Sequence, residues 1–148
     1  KEAEQYIQDY LAHFSGVAAY MEHVVAQAKK DGYAETIFGR RRYLPELTSS
    51  NFNTRSFGER VARNMPIQGA AADIIKIAMI RVENRLEKEG LRARLILQVH
   101  DELIVEAPKE EEAHVAALLT EEMQNAVSLS VPMVAEASMG ETWYDAKG

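Results

Sequence analysis

The chain has 148 residues, 47% of them hydrophobic, a formal net charge of −6 and no cysteine. That length suits one domain of ordinary size, and the apolar content supports a packed core and excludes wholesale disorder. The absence of cysteine excludes a disulfide framework and a thiolate metal site. No apolar run is long enough to span a bilayer and no signal-peptide pattern stands at the start, so the expectation is a soluble, cytoplasmic protein with no membrane partner.

In chain order, Tyr6, Ile7, Tyr10, Leu11 and Phe14 recur at helical spacing and predict a helix over Glu2–Phe14. Ser15-Gly16 reads as a break, Val17–Lys30 as a second helix, and Gly32 as its stop. "GYAETIFGRRRYLPEL" predicts a hairpin with strands at Tyr33–Ile37 and Tyr43–Leu47 around Gly39. The polar "TSSNFNT" is the candidate subdomain boundary, dividing residues 1–53 from 54–148. A helix is expected from Ser56 to Asn64, and Pro66 either kinks it or opens the next. Ile67, Ala71, Ile74, Ala78, Val82 and Leu86 form one apolar stripe on a helix reaching Glu89, which Gly90 ends.

Arg92–Val99 and Leu103–Ala107 read as strands around a very short turn. Pro108 is expected to open a helix up to about Val127, with glutamates in its first turns where the helix dipole favours anions. Val131–Met139 reads as a last strand, followed by the tail "GETWYDAKG". The pattern is α+β: an antiparallel sheet packed against long helices, preceded by a helical and hairpin segment.

Charge is unevenly distributed. Between Phe38 and Pro66, six arginines face two glutamates, a local excess of four positive charges, whereas Lys109–Gln124 is acidic. Taken alone, both clusters read as solvated faces.

Three constellations could carry chemistry. His100, Asp101 and Glu102 stand together at the turn of a sheet-like run, "LILQVHDELIVEA". Adjacent carboxylates repel unless a cation sits with them, and Mg²⁺ prefers hard oxygen ligands; equally, aspartate is ordinary turn chemistry. Arg60, Asn64 and Gln68 are four residues apart. At about 100° per residue they project from one side of a continuous helix, about 6 Å apart along its axis. Such a row of donors could meet minor-groove acceptors, which lie at nearly the same place for every base pair, or could be a plain polar face. "GAAAD", Gly69 to Asp73, leaves a narrow helix surface for close approach, by this chain's own core or by a ligand. His13, His23 and His114 lie on predicted helices without an evident partner.

"TIFGRRRYLPEL", "NMPIQGAAADIIKIAM" and "QVHDELIVEAP", in this order and spacing, resemble the C-terminal portion of the bacterial family A DNA polymerases. The resemblance extends over essentially the whole sequence, including "GETWYDAK". It implies the end of a fingers subdomain over 1–53 and an incomplete palm over 54–148. It further implies template-directed addition of deoxynucleotides to a primer 3′ end, with deoxynucleoside triphosphates and a primer–template duplex as partners. By the same resemblance Asp101 would take the role of a ligand to catalytic Mg²⁺ and Glu102 that of a neighbouring acidic member. His100 would lie against the primer terminus and Gln68 against the minor groove, with Arg60 and Asn64 on the helix that follows the duplex.

Where many relatives have Thr or Ser, this chain has Ala70. The family's other palm aspartate, in a "DYSQIELR"-type motif, and its nucleotide-binding fingers helix lie upstream and are not in this sequence. The chain is therefore expected to need the upstream remainder of a polymerase, to bind Mg²⁺ weakly, to be inactive by itself and to present an open sheet edge. Two further readings remain: a non-catalytic duplex-DNA-binding module, and an acidic interaction domain.

Overall fold

The computed structural model describes residues 2–147 and divides the chain into two compact units, one up to Ala70 and one from Ala71 onward. In the first unit, α1 (Glu2–His13) and α2 (Ser15–Asp31) are separated at Phe14, one residue before the expected Ser15-Gly16 break. Phe14 leaves helical geometry at φ −103°, ψ 61°, held between the rings of Tyr10 and His13. Its carbonyl accepts from the N–H groups of Val17 and Ala18, so it also starts the second helix. Gly32 closes α2 in the left-handed region (φ 79°), its N–H donating to the Ala28 carbonyl, as the sequence predicts.

β1 (Tyr33–Glu35) and β2 (Arg41–Tyr43) pair antiparallel, Tyr33 opposite Tyr43 and Glu35 opposite Arg41. These strands are shorter than expected. At one end the buried Thr36 takes the chain into the turn, its hydroxyl accepting from the N–H groups of Phe38 and Arg40. At the other, Pro45, which has no ladder donor, opens a 3₁₀ turn over Pro45–Thr48. Val25, Ala28, Ala34, Leu44, Leu47 and Ala62 form this unit's core.

α3 (Phe52–Lys88) is a single helix of 37 residues, longer than the sequence suggested at both the start and Pro66. It begins inside "TSSNFNT": the Asn51 side-chain oxygen accepts from the N–H groups of Asn53 (2.9 Å) and Thr54 (3.2 Å), a cap that explains the polar composition there. Pro66 does not open a new helix; it is buried within one, as is Ala62, whose carbonyl it cannot serve. The expected apolar stripe holds only in its second half. Ala78, Val82 and Leu86 are buried together with Ile75, but Ile67 is 63% exposed and Ala71 is exposed. Ahead of Ala70 the buried face of α3 runs instead through Gly58, Ala62 and Pro66, so the stripe is interrupted where one core gives way to the next.

In the second unit β3 (Arg94–Val99) and β4 (Glu102–Glu106) form a two-stranded antiparallel hairpin, with Val99 opposite Glu102 and a bulge at Ile96. The core gathers Ile75, Ala78, Val82 and Leu86 of α3, Ala93, Leu103 of β4, and Val115 and Leu118 of α4 (Glu112–Gln124). Pro108 does not open α4, which starts four residues later. The Glu111 carboxylate serves another element, accepting from the backbone N–H groups of Arg92 and Ala93 (3.0–3.2 Å).

The expected last strand is not formed: among the described residues 131–139 pair with no strand. Its period-two pattern survives as burial, since Met133, Ala135 and Ala137 are half-buried between exposed neighbours. A strand needs a ladder partner as well as an alternating pattern. Pro132 lacks a donor, and Gln124 Nε2 donates to the Ala135 carbonyl at 2.9 Å. α5 (Trp143–Ala146) is a single turn. The whole is α+β, helices with two small antiparallel hairpins.

Candidate functional site: a carboxylate turn and a row of donors

The loop between β3 and β4 consists of His100 and Asp101 alone. A two-residue hairpin loop demands left-handed backbone at one or both positions, hence the usual glycine. Here His100 takes that conformation, with φ 52°, the only non-glycine residue in the described chain with positive φ. A conformation that costs about 1–2 kcal/mol in an L-residue persists only where the surroundings over-determine it. Part of that support is Gln98, whose side-chain amide donates to the His100 carbonyl at 2.6 Å. His100 and Asp101 are exposed, and Glu102 is half-exposed where it opens β4.

Glu102 also has a partner that the sequence did not suggest: Lys147 Nζ lies 3.5 Å from its Oε1. Gln98 could have been noticed from its place two residues before the turn. Lys147 lies 45 residues further on, and no local signal reports that contact. Asp101 and Glu102 offer hard oxygen donors of the kind that suits Mg²⁺, which commonly takes one or two protein carboxylates and completes its shell with water and phosphate. Among the described residues no group of three or more His, Cys, Asp or Glu side chains converges to hold a metal.

Arg60, Asn64 and Gln68 all lie on α3 within the first unit, each exposed. The continuity of α3 through Pro66 puts them on one side of the helix, as their four-residue spacing requires. Arg60 reaches toward the Phe57 ring, 6.0 Å from its centroid, and the Ser56 hydroxyl. Gly69, next to this row, packs against the hairpin turn: a Cβ there would lie 2.6 Å from Thr36 Cγ2. The narrow surface of "GAAAD" thus admits this unit's own turn at Gly69.

Local pairing accounts for much of the remaining charge. Arg41 pairs with Glu35 and covers the Tyr33 ring, and Arg55 donates to the Ser49 carbonyl. The acidic run is more than a solvated face. Glu122, 8% exposed, accepts from Arg81 and Arg85 at 2.8 Å each, while Glu110 pairs with Arg92. Those guanidinium donors, led by Arg81, hold the Glu122 carboxyl below the ordinary carboxylate range against the opposing effect of burial. His114, expected to lack a partner, meets Glu89 at 2.5 Å. No helix among the described residues is long and apolar enough to cross a membrane.

The α+β chain thus presents an acidic residue pair at a hairpin turn and, on a long helix, a row of exposed donors. Residues 1–145 match the sequence model described as DNA polymerase family A, and the chain belongs to that family. It is 57% identical over 147 residues to DNA polymerase I of Bacillus caldotenax and 56% identical to that of Bacillus subtilis; 99% of this chain aligns with 17% of each. It also superposes on a solved structure, the POL domain of Pol1 from M. smegmatis in complex with DNA primer-template and dNTP. The TM-score is 0.95 at 49% identity, over 99% of this chain and 26% of that one. The chain spans about a sixth of the length of the curated relatives it matches.

Proposed function

We propose that this chain supplies part of the palm and the end of the fingers, divided near residues 53 and 54, of a template-directed DNA polymerase used in replication and repair. The carrying observation is that nearly the whole sequence aligns with DNA polymerase I relatives, with "QVHDE" folded as an exposed, strained turn between paired strands. The reaction is attack of the primer 3′ oxygen on the α-phosphorus of a deoxynucleoside triphosphate. A phosphorus–oxygen bond forms, the bond to the bridging oxygen breaks, pyrophosphate leaves and the hydroxyl proton is lost to solvent.

Asp101 and Glu102 would hold Mg²⁺, which when bound supplies positive charge at the reacting phosphate, in the manner of two-metal sites. His100 lies beside them to meet the primer end. Gln68, Asn64 and Arg60 present donors to minor-groove and backbone acceptors of the duplex, which hold register without reading sequence. With two carboxylates from one turn, the chain needs the upstream remainder of the polymerase and is inactive by itself.

Primer extension tests this reading: purified chain, Mg²⁺, primed template and four deoxynucleotides, with and without an upstream polymerase fragment. Extension only with the fragment, abolished by Asp101→Ala and weakened by Gln68→Ala, is the expected result. Extension by the chain alone would refute the need for a partner. The exposed donor row on an uninterrupted helix also suits a second reading, a non-catalytic duplex-binding module. That reading predicts salt-dependent DNA binding, indifferent to Asp101→Ala, and no extension under any combination.

A further inference from the structure

The tail after the unpaired segment 131–139 folds back on itself. Thr142 caps α5, its hydroxyl accepting from the Asp145 N–H at 3.3 Å and donating to Asp145 Oδ2 at 2.5 Å. Gly140 allows the fold-back: a Cβ there would lie 2.6 Å from the Ala146 nitrogen and 2.9 Å from Asp145 Cβ. The Lys147 N–H donates to the carbonyls of Trp143 (3.1 Å) and Tyr144 (3.3 Å). Its ammonium sits 5.5 Å from the centroid of the Trp143 ring, within cation–π range. The same ammonium is the one that reaches Glu102. A capped turn and a glycine that tolerates no side chain thus fix the backbone at Lys147, and an indole face lies beside its ammonium at the carboxylate turn. A surface lysine without these supports would sample many rotamers and lose most of such a pair to entropy.

We propose that Lys147 is a positioning residue for the carboxylate turn: its ammonium holds Glu102 in an ion pair and thereby sets how tightly Asp101 and Glu102 take up a divalent cation. The inference rests on the polymerase reading for its purpose, but its physics is local. A fixed positive charge beside one carboxylate relieves the repulsion between neighbouring acids when no metal is present. It also opposes the arrival of a second cation, and so weakens uptake by Asp101 and Glu102 together. Removing the charge makes the pair a stronger and less discriminating cation trap. Because the groups are half-exposed, with Lys147 at 63% and Glu102 at 45%, solvent screens the effect to about two- to five-fold in affinity.

The test is direct titration of the chain with Mn²⁺, following the free ion by electron paramagnetic resonance. It compares wild type, Lys147→Met, Lys147→Arg and Asp101→Ala. Lys147→Met is expected to bind Mn²⁺ about two- to five-fold more tightly, Lys147→Arg to match wild type, and Asp101→Ala to lose the uptake. Equal affinity in wild type and Lys147→Met, including no uptake by either, overturns the proposal; so does uptake that survives Asp101→Ala. In a complete polymerase carrying this sequence, Lys147→Met is expected to lower the Mg²⁺ midpoint for extension with the KM for primer–template unchanged. A raised KM with an unmoved metal midpoint would make Lys147 a phosphate contact instead and also overturn the proposal. Failure of the polymerase reading is separable: it is the case in which Asp101→Ala leaves extension by the complete enzyme intact, whatever Lys147 does to Mn²⁺.

Discussion

Glu122 is an acid inside the second unit that serves no evident chemistry, and replacing it by alanine tests how α4 is held on α3. The residue is 8% exposed, and its carboxylate accepts from Arg81 Nε and Arg85 Nη1 at 2.8 Å each. Breaking a fully buried pair costs about 3–5 kcal/mol, because a buried charge is left unpaired. Here the arginines left behind are 42% and 31% exposed, so water recovers much of that loss. Exposed pairs contribute about 0–1 kcal/mol. The expected cost of Glu122→Ala is therefore about 1–2 kcal/mol, between those limits.

Urea denaturation at pH 7, with hydrogen exchange of the α4 amides to place the change in that helix, measures it. The pH dependence carries a sign. The folded pKa of Glu122 is depressed, so its contribution is present above the unfolded carboxylate pKa and is lost as pH falls through the lower folded value. The gap between wild type and Glu122→Ala should thus close as the solution is acidified below about pH 4. A cost under about 0.5 kcal/mol at pH 7, or a gap that persists in acid, would refute the reasoning and leave Val115 and Leu118 to hold α4.

Two backbone features make further predictions. His100 at φ 52° should accept glycine with no loss of stability, whereas the β-branched His100→Val should cost about 1–2 kcal/mol in the same assay; equal tolerance would mean that the turn relaxes freely. Gly69→Ala would gain about 1 kcal/mol in an open helix but here should cost about 1–3 kcal/mol, since its Cβ meets Thr36 Cγ2. Adding Thr36→Ser removes that methyl, keeps the hydroxyl that accepts from Phe38 and Arg40, and should restore most of the loss.

Much of this molecule is written in short-range sequence. Helical spacing marks α1, α2 and the later half of α3. Gly32 marks a helix end, and the interval between Val99 and Leu103 marks a tight turn, because each depends on residues within a few positions. The four-residue spacing of Arg60, Asn64 and Gln68 needed only an unbroken helix to share a side. Whether the helix was unbroken was not local information: α3 runs through Pro66, which is buried, and the polar run before it supplies the cap at Asn51.

The last strand shows the opposite case. Val131–Met139 carries the right alternation, yet a ladder requires hydrogen-bond partners from elsewhere in space, and the described residues supply none. Pairing across long separations was likewise invisible. Glu111 caps Arg92 and Ala93, His114 meets Glu89, and Lys147 reaches Glu102, because tertiary structure, not spacing, decides which distant charges become neighbours. The sequence by itself determined most of the helices, the two hairpins, the family and the acidic turn. Only the folded chain decided that the turn is strained at His100, braced by Gln98 and answered by a cation from the tail, since those contacts exist only once separate segments are packed together.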